Sequence, residues 1–326
     1  MPLRRRGLLL AGMAAAGLPA WAQIGAGSAT IRIIVPFAPG GGNDVFARQM
    51  AKGLGELRQQ NVIVENKPGA GGNLGTEQVV RAASDGGTLL LGHTGTVSIN
   101  AALYRHLKYD AQKDLAPVAM FASSPLVLVV PASSLVKTVA DLVALAGAEP
   151  GKINYASSGA GTGGHLTGEM FGQKAGLKIS HIPYKGTAPA LADLAGGQVQ
   201  MMFSVIPPAL ALVKGGRLRA IAVTSAQRLA TLPDVPTIAE SGVPALAGFE
   251  STLTYGILAP RGTPAATLQT LSAQIVQVAG TADFQSRLGI EGAVPLLGGA
   301  QEYAALIQKE SAKWADIVKV SGATVD

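Results

Sequence analysis

Short apolar runs alternate with helix-period stretches along this chain, and glycine-rich turns join them. That alternation restricts the fold more than any other feature, because strands that alternate with helices build sheets covered by helices. Residues 31–35 (IRIIV) read as a buried strand that ends in PFAPGGGN at 36–43, a stretch neither helix nor strand tolerates. From about Asp44 a helix is predicted, with Phe46, Met50, Leu54 and Leu57 on one face. A strand at 62–64, the loop PGAGG at 68–72, a helix around 76–83 and a strand at 88–91 complete a βαβαβ unit. After Pro131 the pattern repeats: helix near 139–145, strand 153–155, helix near 165–174, then strands at 179–182, 200–203 and 218–223. A turn-rich segment holding Pro233, Pro236 and Pro244 precedes a strand at 255–258. The last predicted helix carries Tyr303, Leu306, Ile307, Trp314, Ile317 and Val318 on one stripe.

Two such units, each short of a full core, predict an α/β protein of two lobes, each a mostly parallel sheet flanked by helices. The expected division is 23–124 plus 252–326 for the first lobe and 125–251 for the second, with a cleft between. A chain of 326 residues suits two domains, and a hydrophobic content of 48% is ample for their cores.

Residues 1–22 have the layout of a signal peptide. Arg4, Arg5 and Arg6 precede an apolar stretch, and Ala20-Trp21-Ala22 forms an A-x-A cleavage site before Gln23. The paired arginines also fit a twin-arginine signal, and a periplasmic location is expected. No later run is apolar enough for a membrane helix, so the mature chain is expected to be soluble. Half of the formal charge of +6 resides in the three leader arginines, and the remaining basic residues are scattered. A nucleic-acid partner is therefore not expected. The chain has no cysteine, which removes disulfides, thiolate chemistry and Cys-ligated zinc. His93, His106, His165 and His181 show no metal-ligand spacing, and no metal or cofactor is expected.

Two glycine-rich strand-to-helix turns carry the strongest local signal. One spans 38–44; the other is SSGAGTGG at 157–164, before His165. Each directs backbone N–H groups and the positive end of a helix away from the C-terminal edge of a strand, where open α/β sheets bind ligands. The second turn formally contains G-x-G-x-x-G, but the strand after it leads into Pro183-Tyr184-Lys185 and lacks the acidic ribose partner of a dinucleotide fold. No G-x-S-x-G elbow and no Ser/His/acid spacing is recognisable. Asp44 suits either an ammonium contact or a helix N-cap. Thr94, after the strand that starts at Thr88, offers a hydroxyl or caps the next helix.

Several phrases together resemble a known family. They are IIVPF at 33–37 with its glycine turn and Asp44, VENKPGAGGN at 64–73, and Leu103-Tyr104. NYASSG at 154–159, HIPYKG at 181–186, AVTS at 222–225, LPDVPT at 232–237 and LAP at 258–260 follow in order. These resemble the periplasmic solute receptors of tripartite tricarboxylate transporters, the TctC or Bug family. The resemblance implies a two-lobed, monomeric binding protein, not an enzyme, that holds a small organic acid and serves a membrane permease or a sensor kinase. It implies a first clamp of Phe37, Ala38, Asn43 and Asp44, and a second of Ser157, Ser158, Gly161 and Thr162. Thr94, Lys185 and Ser204 are lesser candidates. Asn43, Gly163-Gly164, Ser204 and Thr254 depart from the family pattern, which bears on the distal half of the ligand. The alternative is an exported α/β hydrolase or lyase acting on a carboxylate. A pocket-facing nucleophile bonded to a histidine would favour it.

Overall fold

The computed structural model describes residues 30–325, so the leader, its cleavage site and the start at Gln23 lie outside the described residues. The chain opens with β1 (Ile31–Val35), α1 (Gly42–Arg58), β2 (Val62–Asn66), α2 (Asn73–Val80) and β3 (Thr88–His93). β1 lies between β2 and β3 and runs parallel to both, as strands joined by crossover helices must. On α1, Phe46, Met50 and Leu54 are buried as the stripe predicts. Leu57 is 39% exposed, because the helix ends one residue later and its last turn clears the sheet.

Two one-turn helices, α3 (Asn100–Leu103) and α4 (Ala111–Asp114), lead into β4 (Leu115–Pro125). After the single residue Leu126, β5 (Val127–Pro131) continues in the second sheet. There follow α5 (Val139–Ala148), β6 (Ile153–Ser157), α6 (Gly163–Ala175), β7 (Ile179–Pro183), α7 (Thr187–Ala195), β8 (Met201–Ser204), α8 (Ile206–Lys214) and β9 (Leu218–Val223). The chain returns through β10 (Thr252–Pro260) and closes with α9 (Ala265–Ala279), α10 (Ala282–Ile290), β11 (Val294–Gly298) and α11 (Ala300–Ser321).

The strand orders are β11-β4-β10-β3-β1-β2 and β7-β6-β8-β5-β9, two sheets flanked by helices in a two-lobed α/β fold. The sheets are mixed rather than mostly parallel. β10 is antiparallel to both β3 and β4, β11 is antiparallel to β4, and β5 is antiparallel to β8 and β9. The cause is the route of the chain: β4 leads out to the second sheet and β10 leads back beside it, so the two pair in opposite directions from Thr252↔Pro125 to Pro260↔Leu115. α11 packs on β4 and reaches α6, burying Tyr303, Ile307, Trp314, Ile317 and Val318. Among the described residues no helix is long and apolar enough to cross a membrane.

Candidate functional site

A cavity of about 280 Å³ lies between the two sheets, and both glycine turns reach it. From the first turn, Phe37 and Asn43 line the wall. Asn43 is the second residue of α1, and its buried Oδ1 has no hydrogen-bond partner among the described residues. Such a group is rare in a folded interior, and as an acceptor it calls for an N–H or O–H donor, so an ionised carboxylate could meet Asn43 only through Nδ2 or the backbone N–H. Ala38 is exposed and does not line the cavity.

Asp44 is turned away from the cavity and braces the turn behind it. Its Oδ2 accepts from the Gly40 N–H at 3.0 Å and from Arg48 Nε at 2.9 Å, and its Oδ1 accepts from Asn66 Nδ2 at 3.0 Å. Burial opposes its ionisation, but the bonds from Arg48, Gly40 and Asn66 outweigh it and hold the carboxyl below its ordinary value. Three of its acceptor positions are committed behind the turn, it does not line the cavity, and it makes no side-chain N-cap bond; the N-cap is Gly41.

In the second turn Ser158, Gly161 and Thr162 line the cavity, together with Gly163 and Gly164 of the first turn of α6. The Gly161 N–H is not free: it donates to His165 Nδ1 at 3.0 Å. Thr162 donates its hydroxyl to Gly159 O at 2.8 Å. The N–H groups of Gly163 and Gly164 begin the helix and have no intrahelical acceptor. The turn therefore offers those amides and the Ser158 hydroxyl. A Cβ on Gly164 would stand 2.5 Å from Phe203 O, so only glycine lets α6 start this close to β8.

The remaining candidates stand behind or outside the wall. Ser157 is fully buried, accepts from the Gly159 N–H at 3.1 Å and lies 2.6 Å from His181 Nε2. Thr94 is buried and accepts from the Thr254 N–H at 2.7 Å, tying the loop after β3 to β10. Ser204 is buried and donates to Val205 O at 3.0 Å. Lys185 is exposed and does not line the cavity.

The residue patterns did not single out His93, Leu126, Thr187 or Tyr255 as ligand contacts, yet they line the cavity with Tyr104, Leu253 and residues at the end of β8. His93 Nδ1 accepts from the Gly95 N–H at 3.0 Å, which places its ring proton on Nε2. Burial lowers this imidazole to about 4, so it is a neutral donor. It packs edge-on against Phe37 at 5.4 Å and beside Tyr255 at 5.2 Å. The alternation of β10 was a usable signal. Leu253 and Tyr255 face the cavity, whereas Thr252 and Thr254 face a second crevice behind the strand.

No Lys, Arg, Asp or Glu lines the cavity. Among the described residues no group of three or more His, Cys, Asp or Glu could hold a metal ion. A serine bonded to a histidine is present in Ser157 and His181, but Ser157 is inaccessible and its hydroxyl also lies 2.8 Å from Gly159 O. It is a structural brace of the loop, not a pocket-facing nucleophile.

Comparison with known proteins places this geometry. The model of the tripartite tricarboxylate transporter family receptor matches residues 46–323. Protein BugT of Bordetella pertussis is 35% identical over 294 residues, covering 90% of this chain and 89% of its own. R. palustris Rpa4515, solved with adipate, is 35% identical with a TM-score of 0.79, covering 91% of this chain and 98% of that chain. MatC from Rhodopseudomonas palustris with bound malate is 31% identical with a TM-score of 0.75, covering 89% of this chain and 98% of that chain.

Proposed function

The chain belongs to the tripartite tricarboxylate transporter receptor family, whose members are solute receptors rather than enzymes, and on that premise we propose that it is a periplasmic receptor for a small carboxylate. It delivers this ligand to the membrane subunits of such a transporter. The family description names a transporter, and nothing in the site favours a sensor kinase over it. Two relatives solved with adipate and malate support the ligand class. The proposed lobes are 23–124 with 252–326, and 125–251, hinged at the paired strands β4 and β10.

One observation carries the reading: the N-termini of α1 and α6, one from each sheet's layer, meet across one cavity free of charged side chains. Helix N-termini bind anions through unpaired N–H groups and the positive end of the dipole. The proposed clamp is the N–H and side-chain amide of Asn43, the Ser158 hydroxyl, and the N–H groups of Gly163 and Gly164, with the Thr162 hydroxyl spent on Gly159 O behind it. Gly161 shapes the loop, and Phe37 walls it. Hydrogen bonds to a charged group contribute about 1.5–3 kcal/mol each. Micromolar affinity needs about 8 kcal/mol, so four or five such bonds suffice after ordering costs.

The test is calorimetric titration and thermal denaturation of the mature protein with small carboxylates and with neutral sugars, beside native mass spectrometry for a co-purified acid. Carboxylates are expected to bind and raise Tm while sugars do neither. A sugar-specific response with none to any acid would sink the proposal. Turnover of a bound acid would instead revive the hydrolase or lyase reading.

A further inference from the structure

Each glycine turn is fixed by the third residue of the helix that follows it. α1 starts at Gly42, and Asp44 accepts the Gly40 N–H at 3.0 Å. α6 starts at Gly163, and His165 Nδ1 accepts the Gly161 N–H at 3.0 Å. Both bonds are variants of the capping box, in which the third helical residue reaches back to the backbone ahead of the helix. At α5, which does not line the cavity, Asp141 makes the same bond to the Lys137 N–H at 3.0 Å. At α6 an imidazole takes the place of the acid. An imidazole that accepts at Nδ1 carries its proton on Nε2 and is uncharged. It therefore secures the turn without setting a negative charge beneath the Gly163 and Gly164 N–H groups, where an acid would compete with an anionic ligand. One turn further along, α1 offers Arg48 to its acid at 2.9 Å, whereas α6 carries Glu169, with Oε1 3.8 Å from His165 Nε2. That carboxylate lies on the side of the Nε2 proton and favours the same tautomer.

The ring is oriented from the sheet. His181 of β7 stacks on it with centroids 3.9 Å apart, and His181 Nε2 lies 2.6 Å from Ser157 Oγ, which accepts the Gly159 N–H at 3.1 Å. Two N–H groups of one turn are thus drawn back toward two stacked histidines, one directly and one through Ser157. Ser158, Gly163 and Gly164 are left facing the cavity. Gly161, at a φ of 77°, is also where the turn meets the first lobe, since a Cβ there would overlap Leu103 of α3. His165 does not line the cavity and acts through the turn. We propose that His165, oriented by His181, is the positioning residue of the second half of the clamp: by holding the Gly161 N–H it sets the turn that receives the ligand and seats against Leu103. This rests on the receptor reading and deepens it.

A histidine that only fills the core is replaced best by hydrocarbon, whereas a positioning one is replaced best by another acceptor. The experiment therefore sets His165→Leu, which fills the space without an acceptor, against His165→Asn, whose Oδ1 stands one bond beyond Cγ as Nδ1 does. The mature parent and both variants are titrated calorimetrically with adipate and with malate at about pH 7.5, well above the carboxylate range. For the acid that the parent binds more tightly, His165→Leu is expected to weaken binding at least about tenfold, and His165→Asn to return it to within about threefold of the parent. Amide exchange of the ligand-free proteins, read by NMR at Gly161, is expected to be slow in the parent and in His165→Asn and at least about tenfold faster in His165→Leu. Binding by His165→Leu within about threefold of the parent, or His165→Asn binding no better than His165→Leu, would overturn the proposal while leaving a carboxylate receptor intact. If His165→Leu does not fold, imidazole nitrogen NMR of the parent decides, because a proton on His165 Nδ1 would remove the acceptor and the proposal with it. If the parent binds neither acid, the receptor reading fails, and this one with it.

Discussion

A Cβ on Gly164 would meet the carbonyl oxygen of Phe203, a backbone atom that cannot swing aside, whereas one on Gly163 would meet the far end of the Leu253 side chain at 2.6 Å. Gly164→Ala should therefore force α6 off β8 and cost about 1–3 kcal/mol, a fall in Tm of several degrees, with weaker carboxylate binding. Gly163→Ala should be milder on both counts. Scanning calorimetry and titration of the two variants check this, and a Gly164→Ala protein that melts and binds like the parent would refute it. A second residue-scale expectation concerns pH. Burial lowers the His165 imidazole to about 4 and, with His165 stacked 3.9 Å away, lowers His181 to about 3. Both lie below the unfolded value near 6.5, so the unfolded chain gains protons first as pH falls. The stability they contribute is whole above about pH 6.5 and is lost as the pH falls through about 4 for His165 and about 3 for His181. His165→Asn keeps an acceptor for the Gly161 N–H and removes one of these titrations. Its Tm should fall less than the parent's between about pH 7 and pH 5; an equal or steeper fall would contradict the assignment.

Among elements, α1 and its preceding turn were readable because glycines, an amphipathic stripe and an acidic first turn all coincide there. What Asp44 does was not readable. Its partner Asn66 lies 22 residues away at the end of β2, and only the parallel pairing of β1 with β2 brings the two together. Asp44→Ala would leave the Gly40 N–H without its acceptor and reduce Asn66 Nδ2 to its bond with Phe37 O at 3.1 Å, so it should cost about 1–3 kcal/mol and loosen the clamp although Asp44 does not line the cavity. Arg48→Ala removes only an exposed member of the brace and should cost under about 1 kcal/mol. Urea denaturation of both variants decides, and equal effects would show that the brace is not centred on Asp44. β4 was the element least legible in advance. Its sequence LAPVAMFASSP has neither the alternation of a half-buried strand nor a branched apolar run, yet all but one of its residues are buried. It earns that position by pairing with β10 on one side and β11 on the other, which no local pattern records.

For the whole molecule, β10 has a two-lobe space on each face. Leu253 and Tyr255 line the ligand cavity, while Thr252 and Thr254 line a crevice of about 640 Å³ closed by α6 and α11. The helix α6 spans both: Gly163 and Gly164 sit at the front, and Met170, Gln173 and Lys174 at the back, facing Lys309 and Lys313 of α11. If the second lobe rotates rigidly about the crossing strands, narrowing the front must widen the back. Gln173→Trp should then wedge the crevice, favour the closed form and tighten ligand binding several-fold, because less closure remains for the ligand to drive. Small-angle scattering of the ligand-free variant should give a smaller radius of gyration than the parent. Weaker binding with an unchanged radius would count against a hinge at β4 and β10.

The sequence by itself determined the alternation of strands and helices, the two glycine turns, the neutral character of much of the polar inventory and the family. Each of these depends on neighbours within a few residues, or on whole phrases in order. It also placed Phe37, Asn43, Ser158, Gly161 and Thr162, which the fold brings to one cavity. Only the tertiary structure decided which polar groups were already spent. Thr94 is committed to Thr254 across 160 residues of chain, Ser157 to His181 across 24, and the Gly161 N–H to a histidine ring. A hydrogen-bonding group can face a ligand only when the fold leaves it unpaired, and in this protein Thr94 and Ser157 find their partners in segments far apart in the chain, while even the local pairing of Gly161 with His165 depends on how the turn closes onto α6.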